Sequence, residues 1–181
     1  MLRTSCAPLS ALILVLLSAP AAQASDFGPQ AGATYVNPGL LLSGSYRHSG
    51  KGAFGLGAEL SLHHFTNNDF GGFGVFAQWQ AMNFQYDRFC GGLQATDTLE
   101  TFPIGMELGV AYETEGGGEA ATTSLHFAPF ASVGAATATL RFGIPIAGGT
   151  EELPRHGFDV GLTLAIKIPL RLDGPSPFSG R

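Results

Sequence analysis

Charge is scarce in this chain. Only 13% of its 181 residues are charged, lysine occurs twice (Lys51 and Lys167), and the formal net charge is −5. A soluble domain usually carries about 25% charged residues. Half of that, with a mean hydropathy of +0.19, excludes an ordinary cytosolic protein. It also excludes disorder, which requires low hydrophobicity and high charge. So few basic residues exclude nucleic acid as a main partner. Cysteine is nearly absent. Cys6 lies before the N-terminal apolar run and Cys90 stands alone beyond it, so a disulfide framework is excluded. Past Ala24 no run of 18 apolar residues occurs, which excludes a membrane-spanning helix there. The chain also lacks G-x-S-x-G, H-E-x-x-H, a phosphate loop and a paired-cysteine motif. No catalytic residue, metal or cofactor is implied.

The N-terminus reads as a secretory signal peptide over residues 1–24. Arg3 supplies the positive start, Leu9 to Leu17 the apolar core, and Ala22-Gln23-Ala24 the small-residue cleavage site. The expected organisation is a signal peptide (1–24), an N-terminal periplasmic segment (25–34), one domain (35–172) and a C-terminal tail (173–181) holding Pro175 and Pro177.

Within that domain the sequence period is two. In Ala53 to Phe65, Phe54, Leu56, Ala58, Leu60 and Leu62 alternate with Gly55, Gly57, Glu59, Ser61 and His63. Phe102 to Glu113 and Thr137 to Ala147 alternate in the same way. In Phe158 to Leu172 every even position is apolar. Successive strand residues point to opposite faces, so these are two-faced strands. Weaker segments at Val36–Arg47, Phe73–Trp79, Leu125–Ala131 and roughly Phe84–Ala95 complete a set of eight. The last of these slips phase near Arg88, which a β-bulge would explain. Turn signals lie at His48–Gly52, Thr66–Gly71, Met82–Asn83, Thr96–Glu100, Thr114–Ala121, Gly134–Ala136 and Gly148–His156.

The polar face decides which side is inside. It holds mostly Gly, Ala, Ser and Thr with one or two charges per strand. That suits the narrow lumen of an eight-stranded barrel, which side chains just fill. Glu59 and Glu107 against Arg141 and Lys167 are read as a structural charge network in that lumen, because buried charges must pair. The apolar face then meets lipid. With both chain ends in the periplasm, one end of the barrel gathers Tyr46, Phe54, Trp79, Phe84 or Tyr86, Tyr112, Phe127 and Phe158 as an aromatic girdle. The two longest links fall at that outer end and carry Glu115, Glu119, Glu151 and Glu152, an acidic rim expected to meet an extracellular partner.

With GLGAELSL, PIGMELGVAY and DVGLTLAIKIPL on the page, the chain resembles the small eight-stranded outer-membrane barrels, the OmpA/OmpX-like membrane domains. The resemblance covers about residues 35 to 172. It implies an all-β, antiparallel, up-and-down transmembrane barrel in the bacterial outer membrane, monomeric and bathed in outer-membrane lipid. It also implies a structural, adhesive or surface-interaction role without catalysis. Such proteins often end at an aromatic residue closing the last strand; here a tail follows Leu172 and ends in Arg181.

Two other classes of function are weighed beside this. Ser124 and His126 share a strand face and Glu113 stands near them, an arrangement a Ser/His/Glu lipid-modifying enzyme would use. A soluble periplasmic barrel with its apolar face turned inward would bind an apolar ligand. His63 and His64 lie on opposite faces of one strand, poorly placed to share a metal. His48, His126 and His156 are expected near the exposed outer rim. Cys90 reads as a small packing residue.

Overall fold

The computed structural model describes residues 30–173, apart from 49, 67–70, 100 and 101. The expected signal peptide, residues 25–29 and residues 174–181 of the tail lie outside the described residues. Nine strands form eight staves: β1 (Thr34–Arg47), β2 (Gly52–Phe65), β3 (Gly72–Met82), β4 (Tyr86–Leu99), β5 (Phe102–Glu113), β6 (Thr122–Val133), β7 (Ala136–Gly148), β8 (Asp159–Lys167) and β9 (Leu170–Arg171). Each stave is antiparallel to the next, and β1 pairs with both β2 and β8. The sheet therefore closes on itself as an up-and-down barrel with no free edge.

The eighth stave is broken where a single strand from Phe158 to Leu172 is expected. Pro169 has no N–H for the ladder, and Pro38 on β1 lacks one too. The Ile168 N–H bonds the Pro38 carbonyl at 2.9 Å, and β9 then resumes pairing at Val36 and Tyr35. Below it, the Thr34 N–H donates to both oxygens of Asp173 at 2.9 and 3.0 Å. That bond holds the Asp173 carboxyl below the usual carboxylate range. It ties the start of β1 to the end of the last stave.

Burial is inverted relative to a water-soluble fold. On β8, Leu162, Leu164 and Ile166 are about half exposed, while Asp159, Thr163 and Ala165 between them are buried. On β2, Phe54, Leu56, Leu60 and Leu62 point out, and Glu59, Ser61 and His63 point in. Leu164 is 49% exposed and Arg141 is 1% exposed. Such an exterior suits hydrocarbon, where the backbone pairs internally and apolar side chains face the tails. A soluble barrel with an apolar interior is contradicted by this placement. Small apolar clusters do occur inside. One is Phe76, Cys90 and Ala111, so Cys90 packs as a buried free thiol.

Links at the terminal end are 66–71, 100–101 and 134–135; those at the other end, the loop end, are 48–51, 83–85, 114–121 and 149–158. β4 corrects two expectations. It continues to Leu99, so Asp97 and Thr98 pair with Ile104 and Pro103 instead of turning. Its register with β3 and β5 is also unbroken through Arg88. Its even positions face inward, so Tyr86 is buried at 6% exposure and does not join the girdle. Phe89 takes that place, in register with Trp79 on one side and Tyr112 on the other. Tyr46, Phe54, Trp79, Tyr112, Phe127 and Phe158 all lie exposed on the outer surface toward the loop end. Trp79 Nε1 donates to Asp87 Oδ1 at 3.0 Å, the polar attachment that suits an indole at a membrane interface. The register shift falls elsewhere: Thr123 pairs with Ala147 but Ser124 with Pro145, skipping Ile146. Pro145 cannot donate to the ladder, which favours a bulge there.

A lipid-facing charge separates the two environments. Leu164→Arg is expected to destabilise the barrel by about 2–4 kcal/mol, read from denaturant unfolding in vesicles. The same change on a water-facing surface stays within about 0.5 kcal/mol.

Candidate functional site

The lumen is filled by polar side chains held apart by glycine. A Cβ on Gly143 would lie 1.8 Å from Asp159 Oδ1, so only glycine leaves room for that carboxylate. A Cβ on Gly39 would sit 3.0 Å from Lys167 Cγ, and one on Gly55 2.5 Å from Ser43 Oγ. The alternation of glycine with large polar residues thus sets which long side chains fit.

Two groups of charges lie wholly on the strands. Lys167 Nζ contacts Glu59. Gln78 Nε2 donates to Glu59 Oε2 at 3.1 Å and to Glu107 Oε2 at 3.3 Å. Glu107 Oε2 in turn lies 3.2 Å from His126 Nε2, and His126 Nδ1 lies 3.1 Å from Arg88 Nη2. An arginine has no acceptor, so His126 accepts at Nδ1 and donates from Nε2. Separately, Arg141 makes a two-pronged pair with Asp159, through Nε at 3.1 Å and Nη2 at 2.8 Å. Gln80 joins this group, its Oε1 accepting from Ser43 at 2.8 Å and from Arg141 Nη1 at 3.5 Å. The four expected lumen charges are therefore all inside, but not as one cluster. Glu59, Glu107 and Lys167 share a chain, while Arg141 pairs with Asp159.

The third group lies under the loop end. Arg47 Nη1 contacts Glu119, and its Nη2 reaches the Tyr86 hydroxyl and Glu113 Oε1, the latter at 3.4 Å. The Arg47 guanidinium also sits 5.0 Å from the Tyr86 ring centre. Arg88 Nε is 3.8 Å from Glu113. His156 Nδ1 is 2.8 Å from Glu119 Oε2, and its ring packs on Tyr86 at 5.0 Å. These contacts place two expected rim residues of the links inside, and His126, also expected near the rim, is buried on β6 at 2% exposure. Glu119 is 3% exposed, and His156 is fully buried. Neither lies on a strand. The links 114–121 and 149–158 meet through an Ala120–Arg155 bridge and an Ala120 N–H to Pro154 carbonyl bond of 2.8 Å. Docked together, they carry Glu119 and His156 down into the mouth as a lid. Glu115, Glu151, Glu152 and His48 stay exposed.

Ser124, His126 and Glu113 do not form a nucleophile site. Both ring nitrogens of His126 are committed, to Glu107 and Arg88, and Glu113 serves Arg47 and Arg88. His63 is buried against Gln94, Nδ1 to Nε2 3.0 Å, and His64 lies 3.0 Å from Thr34 Oγ1. No group of three His, Cys, Asp or Glu side chains suited to a metal ion occurs among the described residues. Alternation alone marks Arg47 and Asp159 as inward, whereas Arg88 is placed by the register of β4 with β3 and β5. Their partners follow from strand register, which the sequence does not print.

Removing Asp159 leaves Arg141 charged, buried and unpaired. Asp159→Ala is expected to cost about 3–5 kcal/mol in urea unfolding from vesicles. Adding Arg141→Met is expected to restore most of that, since an apolar pair of similar volume replaces a buried ion pair at little cost.

No protein-family model matches the sequence, and no curated protein is significantly similar to it. Among solved structures the chain is similar to Ail, the attachment invasion locus protein of Yersinia pestis. The TM-score is 0.49 with 11% sequence identity, over 79% of this chain and 100% of that one. The closed eight-stave architecture rests on the barrel's own pairing, from β1 through to β8 and back to β1.

Proposed function

We propose that this protein is an outer-membrane β-barrel of a Gram-negative bacterium. It has no catalytic role, and it presents its loop end to an extracellular partner. The observation that carries this reading is the inverted burial: half-exposed Leu162, Leu164 and Ile166 outside, buried Arg88, Glu107 and Arg141 inside. Strands of 9 to 14 residues are long enough to cross a hydrocarbon layer when tilted. The aromatic belt toward the loop end and the signal-peptide pattern support the outer membrane as the location. Each of the eight staves sends buried side chains into the lumen, which argues against a general diffusion pore. The surface left for interaction is the lid, with Glu115, Glu151 and Glu152 on its exposed side.

The test is heat-modifiability. The chain from residue 25 onward, refolded in detergent, is expected to migrate differently on a denaturing gel before and after boiling, with β-type circular dichroism. Identical migration, or full solubility without detergent, would overturn the reading. In planar bilayers the same preparation is expected to give no steady open channel; a permanently open conductance would contradict the filled lumen.

A further inference from the structure

We propose that the recess occupied by Glu119 is a binding site for a phosphate or carboxylate group of a molecule arriving at the loop end, with Glu119 as its built-in competitor. This deepens the surface-interaction reading above and rests on it.

Glu119 belongs to a link, yet its side chain is 3% exposed. Taking a carboxylate out of water costs several kcal/mol unless donors already wait for it. Here they do, and they come from two separate elements. Arg47 stands on β1, and Lys51 Nζ in the 48–51 link lies 3.6 Å from Glu119 Oε1. Arg47 is held without Glu119, by the Tyr86 hydroxyl and ring and by Glu113. The recess therefore keeps its shape when Glu119 leaves. The charge balance of the group then turns from neutral to positive. Arg47 and Lys51 face Glu113 alone.

The end of the Arg47 guanidinium, Nη1 with Nη2, matches two oxygens of a carboxylate or phosphate; its Nε, buried without an acceptor among the described residues, lies on the edge shared with Nη2, away from Glu119. The lid can also release its occupant. Gly117 and Gly118, with φ of 61° and 79°, immediately precede Glu119, a backbone conformation open to glycine. The link is held by the Gly116–Glu119 turn bridge, by the Ala120–Arg155 bridge with its Ala120 N–H to Pro154 carbonyl bond, by the Thr114 N–H to Asp87 carbonyl bond, and by Lys51 Nζ and His156 Nε2 donating to the Gly117 and Thr114 carbonyls. An external oxyanion that displaces Glu119 would take over the same donors and set the lid free.

The experiment is titration calorimetry of inorganic phosphate into the barrel folded in a maltoside micelle, which contributes no phosphate of its own. Glu119→Gln is expected to bind phosphate at least tenfold more tightly than the unmodified chain. Adding Arg47→Gln is expected to remove that gain. A signal that appears only when phosphatidylglycerol is mixed into the micelle would assign the same recess to a lipid headgroup. Equal binding by the unmodified chain and Glu119→Gln in both settings, or binding that survives Arg47→Gln, would overturn the proposal and leave Glu119 a structural strut. The unmodified chain gives an independent readout: phosphate is expected to speed proteolysis within 114–121 by displacing Glu119. Unchanged cleavage would also overturn the proposal. A heat-modifiable barrel with no phosphate response sinks this site alone, whereas a chain that is not heat-modifiable sinks the barrel reading itself.

Discussion

Hydrocarbon offers no partner to a backbone N–H or C=O, and each unpaired group there costs several kcal/mol. The pairing of β1 with β8 answers that constraint. It runs from Gly39–Lys167 to Arg47–Asp159 and removes both edges of the sheet at once. The weak point of the seam is where Pro38 and Pro169 withhold their N–H groups, at the terminal end. There the Ile168 to Pro38 bond, β9 and the Asp173 bond to Thr34 carry the closure.

Closing eight staves creates the second constraint, a lumen with room for side chains and little else. Charges inside it must find each other. Glycines at 39, 55 and 143 set where long side chains lie, and the ion pairs follow from that geometry. The result divides into groups. The Lys167–Glu59–Gln78–Glu107–His126 chain and the Arg141–Asp159 pair sit on strands and lock staves together. The Arg47–Glu119–His156 group instead joins strands to links, so it fixes the lid as well as the wall.

Much of this was legible in the sequence because a period of two assigns every residue on a regular strand to a face. Glu59, Glu107, Arg141 and Lys167 were placed inside by that rule alone, and so were Ser124 and His126. Tyr86 misled because aromatic residues flank the 83–85 turn on both phases. On β4 the outward row is Phe89, Gly91, Leu93 and Ala95, too small in part to advertise itself. Glu119 and His156 were illegible for a different reason. Outside a strand there is no alternation, and their burial comes from two links docking across sequence distance. The apolar even positions of Phe158 to Leu172 put Asp159 on the inner face, but its partnership with Arg141 follows only from the β7–β8 register.

The even-numbered side chains of β8 face lipid and the odd-numbered ones face a filled lumen. Spin labels placed singly at positions 159 to 166, with Cys90 replaced by alanine and the barrel in lipid nanodiscs, test it directly. Labels at Val160, Leu162, Leu164 and Ile166 should collide freely with dissolved oxygen, which concentrates in hydrocarbon. Those at Gly161, Thr163 and Ala165 should be shielded from both oxygen and a water-soluble nickel reagent. A uniform profile, or an alternation of the opposite phase, would contradict the account.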